Sequence, residues 1–350
     1  MSKTKGFLFL FLFCTVGTLT SVNNYACTRF VYTGTNNTVL TARSMDWATD
    51  IGTNLWVFPR GINRNGEVNG KTIKWKSKYG SLIASAFDIS TSDGMNEKGL
   101  VANLLWLAES EYGDWNPKKP SISISIWAQY ILDNFATVKE AVLELEKEKF
   151  ALATTKIPGT DKTATVHLAI SDASGDSAIF EYVKGKLMIH HDSAYQVMTN
   201  SPIFDKQLAL NAFWNEIPGT MALPGTNKAT DRFVRASFYV NAIPKVDDTR
   251  VAVASVFSVI RNCSVPYGIT TKDQPNISST RWRTVSDHKN KVYYFESTLS
   301  PNVFWVDFKD LNFGEKEKVK MLSIVNQEIY SGNAADKFVD TNAFAFAGVQ

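Results

Sequence analysis

The chain reads as an α+β fold, a four-layer αββα sandwich of two antiparallel sheets flanked by helices. Three observations predict it. Short segments rich in β-branched and aromatic residues, bounded by Gly, Asn, Asp or Pro, fill the first hundred residues after position 26. Strand-like and helix-like segments then come in blocks, in the order β, αα, β, ααα, β, rather than alternating one by one as a parallel sheet would require. No linker composition divides them, so residues 27–350 are expected to form one domain.

Taken in order, strands are expected at 27–32, 38–47, 54–58, 72–75, 82–87 and 100–107. The stretch Asp93-Gly94-Met95-Asn96-Glu97-Lys98-Gly99 breaks that pattern and is expected to be a turn whose two glycines supply positive φ. Residues 121–134 carry Ile122, Ile126, Trp127, Tyr130 and Ile131 near helical spacing, and Thr137-Val138-Lys139-Glu140 reads as a capping box opening a helix over 138–147. A second strand set is expected at 165–171, 177–182, 186–190 and 194–199, then helices at 204–214, 231–241 and 247–261. Strands at 279–285, 291–295 and 303–306 complete the sheets.

The amino terminus has the order of a secretory signal. Lys3 and Lys5 precede an apolar run over 6–19, too short for a comfortable transmembrane helix, and a polar stretch leads to small Ala26. Cleavage after Ala26 is expected, with export to the periplasm or medium and no stable membrane association afterwards; a retained anchor is the alternative. The signal removes two lysines and no acid from a net charge of +3. That near-neutral balance, with 44% hydrophobic residues, argues against a nucleic-acid partner.

Of the 3 cysteines, Cys14 leaves with the signal. Cys27 and Cys263 are too few for a disulfide scaffold, though a single bridge between them is one reading. Cys263, in an apolar helical stretch, is expected to pack as a small hydrophobe.

GxSxG, HExxH, Walker A and GxGxxG are all missing, which takes support from lipase-type, zinc-protease and nucleotide chemistry. Ser174-Gly175-Asp176-Ser177-Ala178 falls in a tight hairpin turn. The four histidines, His167, His190, His191 and His288, are expected to be structural, and the adjacent pair points to opposite faces of a strand, which suits no metal site. No cofactor or metal is expected, and a cysteine nucleophile lacks an obvious histidine base. An N-terminal Cys27 supplies its own: an α-amine of pKa about 7.7 to 8.0 is partly neutral and able to take the thiol proton. In Arg43-Ser44-Met45-Asp46-Trp47 a charged pair lies on the neighbouring strand. Arg43 and Asp46 face opposite sides of a regular strand, so one site for both would need a bulge or strand end between them; an exposed ion pair is the alternative.

Five motifs in order now become recognisable: Cys27-Thr28-Arg29-Phe30, Arg43-Ser44-Met45-Asp46-Trp47, Asp93-Gly94-Met95-Asn96-Glu97-Lys98-Gly99-Leu100, Val197-Met198-Thr199-Asn200-Ser201-Pro202 and Asp231-Arg232-Phe233-Val234-Arg235. On these the chain resembles the choloylglycine hydrolase family of N-terminal-nucleophile hydrolases, and within it the Gram-negative penicillin V acylases. The resemblance implies Cys27 as nucleophile, Arg43 near its sulfur, Asp46 accepting from the α-amine, Asn200 as an oxyanion-hole amide and Arg232 completing the polar network, with Arg235 in reserve. It implies Trp47 and Trp106 at the substrate site. Trp106 falls where bile salt hydrolases carry an Asn, and an indole offers N–H but no acceptor and a large apolar face. That favours a flat or linear acyl group.

The expected activity is therefore hydrolysis of small-molecule acyl amides through a thioester, with penicillin V or N-acyl-homoserine lactones as substrates. Bile salt hydrolysis is the alternative within the same chemistry, and a catalytically silent ligand-binding protein is the alternative outside it. The span from Asn200 to Arg232 is shorter than in Gram-positive members, where an inserted loop braces a tetramer. A homo-oligomer stays open, without that loop as its brace.

Overall fold

The computed structural model describes residues 26–217, 219–272, 277–326 and 328–349. The expected signal segment, apart from Ala26, lies outside them. Strands β1 (Thr28–Thr33), β2 (Val39–Trp47) and β3 (Leu55–Phe58) open the chain. A small hairpin of β4 (Asn63–Asn65) and β5 (Lys74–Lys76) follows, then β6 (Ser81–Ala86), β7 (Ser90–Asn96) and β8 (Val101–Trp106). Helices α1 (Trp127–Asn134) and α2 (Val138–Leu145) sit between two short strands that pair in parallel, β9 (Ser121–Ser123) and β10 (Ala151–Ala153). Next come β11 (Val166–Ser171), β12 (Ser177–Val183), β13 (Lys186–His191) and β14 (Val197–Met198). Helices α3 (Phe204–Asn215), α4 (Ala229–Ala242) and α5 (Thr249–Asn262) precede β15 (Ser279–Asp287), β16 (Val292–Ser297) and β17 (Val303–Asp307). The tail adds β18 (Lys320–Leu322), β19 (Gly332–Asn333) and β20 (Val339–Asp340).

These strands assemble the expected αββα sandwich. One sheet runs β14-β1-β2-β15-β16-β17-β19 and the other β13-β12-β11-β8-β7-β6-β3-β18-β20. The large sheets are antiparallel apart from the pairing of β17 with β19. Helices α4 and α5 pack on β1 and β2, and α1 packs on β7 and β8. The Thr137 cap forms as read, with Thr137 Oγ1 accepting from Glu140 N at 3.2 Å, while Glu140 Oε2 reaches one residue further back and accepts from Ala136 N at 2.8 Å.

The layer between the sheets holds several buried polar side chains. Odd residues of β2 point into it: Thr41 Oγ1 meets Ser171 Oγ at 2.7 Å, and Arg43 Nη2 donates to Leu104 O at 3.1 Å. Even residues point to the helices, as period-2 alternation requires. From the neighbouring strand Arg29 donates to Ile170 O at 3.1 Å and Ser177 Oγ at 3.0 Å. Burial without a carboxylate partner lowers its pKa to about 9.

Several elements differ from those expected. Residues 93–99 are not a turn for most of their length, since β7 runs to Asn96 and only 97–99 reverse the chain. Gly99 has φ +85, but Gly94 lies inside the strand, where a Cβ would fall 2.7 Å from Ile83 Cγ2 and 2.8 Å from Leu82 O. Close packing, not a turn, calls for that glycine. Asn96 holds the reversal through Oδ1, which accepts from Lys98 N and Leu100 N, while its Nδ2 donates to Leu132 O and Phe135 O at the end of α1. Residues 121–126 are a strand and a 3-10 turn before α1, and 194–199 contains only the two-residue β14. No described helix is long and apolar enough to cross a membrane.

Candidate active site

Cys27 stands one residue before β1, opposite the end of β2, because β1 and β2 pair Thr28 with Ser44 and Arg29 with Arg43. Both Cys27 and Cys263 are free and buried, so no bridge joins them. The Cys27 sulfur lies 4.0 Å from Met45 Sδ and 3.9 Å from Asp46 O. Its nitrogen, still joined to Ala26, donates to Asn200 Oδ1 at 2.5 Å, and its carbonyl accepts from Arg232 Nη1 at 2.5 Å.

Asn200 is where three parts of the fold meet. The same Oδ1 accepts from Arg232 Nη2 at 2.9 Å, and Nδ2 donates to Trp106 O at 2.7 Å. Two donors on one side and a carbonyl on the other fix which way the amide faces. The backbone beneath it is held by Gln207 Nε2, 2.6 Å from Asn200 O, and by His167 Nε2, 2.8 Å from Thr199 O. His167 in turn contacts Glu181 at 3.0 Å. Burial opposes ionisation of Glu181, but the hydrogen bonds from His167 and His190 outweigh it and hold its pKa at about 2.

Arg43 and Asp46 do face opposite sides of β2, and no bulge in β2 is needed for both to reach Cys27. The irregularity is in the partner strand β15, between Thr280 and Trp282, where Arg281 swings out to donate to Trp47 O at 2.9 Å and Ala48 O at 2.6 Å. Cys27, at a strand end, touches both faces. Arg43 stands on the inter-sheet side, its guanidinium 4.5 Å from the Trp282 ring and 3.9 Å from Asp93. Asp46 stands on the helix side, accepting from Thr280 Oγ1 at 2.5 Å, with Ser44 Oγ at 3.5 Å. While the peptide bond to Ala26 is intact, the Cys27 nitrogen is an amide that donates to Asn200 Oδ1. Arg232 alone of the two candidate arginines reaches Cys27; Arg235 donates to Pro224 O and Thr226 O instead.

Burial pushes the Cys27 thiol up, with Arg43 and Arg232 pulling against it and the Asp46 charge adding to it. Asp46 is pushed up to about 6 by burial, with Arg232 and the Thr280 hydroxyl opposing. Asp93 is also raised by burial, against Arg43 and the hydrogen bonds from Tyr293 Oη and Asn103 Nδ2, the latter at 2.6 Å. Sequence reading missed this support. Asp93 was visible only as part of a motif, and nothing linked it to Asn103, Thr284 or Tyr293.

An apolar pocket is lined by Cys27 and Arg43, with Trp47, Phe87, Trp106 and Ile157 among its other walls. Trp47 and Trp106 meet edge to face, 6.0 Å between centroids at 69°. Among the described residues no cluster of three or more His, Cys, Asp or Glu side chains could hold a metal ion.

A sequence profile described as linear amide C–N hydrolases, choloylglycine hydrolase family, matches residues 27–321. The chain is 54% identical to a penicillin V acylase of Pectobacterium atrosepticum over 95% of this chain and 95% of that protein. It superposes on a solved structure of penicillin V acylase from Agrobacterium tumefaciens with a TM-score of 0.87 and 63% identity, covering 92% of this chain and 100% of that one. A mutant conjugated bile acid hydrolase from Clostridium perfringens, at 22% identity, shares the fold with a TM-score of 0.73 over 85% of this chain and 96% of that one.

Proposed function

Given that the chain belongs to the choloylglycine hydrolase family of linear amide hydrolases, we propose that it is exported, begins at Cys27 once Ala26 is removed, and uses that residue as nucleophile and base together. The observation that carries this reading is the seat of Cys27: it lines an apolar pocket while its nitrogen is bonded to Asn200, with no histidine among the pocket's described lining residues. A freed amine there takes the thiol proton, and the covalent chain already fixes the two groups together.

The thiolate attacks the amide carbonyl of a bound acyl amide. Arg43 stands by the sulfur and counters the burial that keeps the thiol protonated. Asn200 Nδ2 carries two hydrogens, one of which is used on Trp106 O, leaving the second to donate to the tetrahedral oxyanion. The amine leaves with the proton held by the Cys27 amine, and water then cleaves the thioester. Arg232 keeps Cys27 and Asn200 in register, and Asp46 supplies negative charge on the helix side of the amine.

The acyl group is proposed to lie against Trp47 and Trp106, which suits phenoxyacetyl in penicillin V and the acyl chain of N-acyl-homoserine lactones. Turnover of penicillin V, a long-chain acyl-homoserine lactone and glycocholate under one set of conditions tests this. Preference for either of the first two is expected, and preference for glycocholate would replace the reading with bile salt hydrolysis. Absence of turnover together with no acyl adduct on Cys27 would leave a ligand-binding protein.

A further inference from the structure

The β6–β7 hairpin places two consecutive non-glycine residues in the left-handed region, Phe87 at φ 55 and Asp88 at φ 47. Its turn closes with Ile89 N on Ala86 O at 3.1 Å. Tight hairpins that need positive φ at successive positions are ordinarily served by Asn-Gly, and a bulky aromatic there is a genuine outlier. Such strain persists only where surroundings over-determine it, and it concentrates at functional sites.

Here the surroundings are one carboxylate. Asp88 Oδ2 accepts from Asn54 Nδ2 at 2.7 Å, and Oδ1 accepts from Trp56 Nε1 at 2.8 Å and Ser85 Oγ at 2.5 Å. Three donors, one from β3, one from the residue just before it and one from β6, grip the turn from its side chain. The backbone is gripped as well: Phe87 N donates to Ile51 O at 2.6 Å, and Ile89 O accepts from Ala347 N at 2.9 Å in the C-terminal tail. What this clamp holds in place is Phe87, together with Ala86 and Ile89, as a wall of the pocket that Cys27 also lines.

From this geometry we infer that Asp88 is a specificity-positioning residue: its carboxylate forces Phe87 into a strained backbone so that the ring sets the width of the acyl pocket. Asp88 itself touches neither the pocket nor Cys27, so it acts through Phe87. The inference rests on the reading that this pocket receives the acyl group.

The test is a double-mutant cycle between Asp88→Ala and Phe87→Ala, read as relative kcat/KM over amides that share one amine and differ in acyl group, phenoxyacetyl, hexanoyl and decanoyl. Asp88→Ala is expected to shift the preference between narrow and wide acyl groups by about tenfold, the size of a hydrophobic-pocket discrimination, chiefly through KM. The shift should vanish when Phe87 is already alanine, because the clamp then has no wall to hold. An equal shift in both backgrounds, or lost thermal stability with unchanged preference, would overturn the inference. Trp56→Phe, which removes a single donor, gives the same readout more mildly where Asp88→Ala does not fold. A crystal structure of whichever variant folds separates this inference from the functional reading beneath it. Phe87 displaced from the wall supports the clamp even where no amide is turned over, and Phe87 unmoved overturns it.

Discussion

The Cys27 nitrogen and the Arg232 guanidinium share one acceptor, Oδ1 of Asn200, at 2.5 and 2.9 Å. Arg232 also donates to the Cys27 carbonyl and to Thr28 Oγ1, so an arginine in α4 holds the carbonyl end of Cys27 and the Asn200 side chain that its nitrogen meets. Asn200→Ala should therefore misplace the Cys27 nitrogen and lower kcat by about 10², since a shift of about 1 Å at a reacting group costs that much. Steady-state kinetics on penicillin V check it. Arg232→Lys keeps the charge but loses the forked contact, and should also lose most of kcat.

Asp46 predicts a pH dependence. Its carboxyl is pushed up to about 6, mainly by burial. Charge on the helix side of Cys27 is then present above about pH 6 and lost below it, so kcat/KM should rise through that value and Asp46→Asn should lack that limb. The stability effect has the opposite sense. A carboxyl with a raised folded pKa holds its proton more tightly folded than unfolded, so its contribution falls as pH rises from about 4 to about 6. Urea midpoints across that window should show a slope that Asp46→Asn removes.

Tyr293→Phe removes the hydroxyl that donates to buried Asp93, a carboxylate that also faces Arg43 and accepts from Asn103. A buried acceptor left short of a donor should cost about 1–3 kcal/mol in urea unfolding. Because Arg43 leans on Asp93 at 3.9 Å, alkylation of the Cys27 thiol should slow in the same variant.

Gly94→Ala would place a methyl group within 2.7 Å of Ile83 and 2.8 Å of a backbone oxygen on the adjacent strand. Overpacking of that kind should destabilise by about 1–3 kcal/mol, visible as a lowered melting temperature.

Much of this is legible in the sequence because it is local. Strand alternation in Arg43-Ser44-Met45-Asp46 correctly places Arg43 and Asp46 on opposite faces, and the Thr137 cap and the α4 and α5 periodicities carry over to within a few residues. The bulge lies in β15 rather than β2, and the residue that swings out there, Arg281, is more than 200 residues from its acceptors Trp47 O and Ala48 O, so the local stretch cannot show it. Gly94 reads as a turn residue because glycine in a strand and glycine in a turn look alike until the neighbour Ile83 is known. The Asp93, Asn103, Thr284 and Tyr293 cluster is invisible for the same reason: each comes from a different strand, and sheet order is a property of the whole chain.

Removal of Ala26 is proposed to create the base. The direct measurement is a mass spectrum of the exported, active protein after a brief pulse of penicillin V, followed by digestion. An N-terminal peptide beginning at Cys27 is expected, carrying a phenoxyacetyl group that is absent from Cys27→Ala. Full turnover by a protein whose chain begins anywhere else, or by Cys27→Ala, would contradict it.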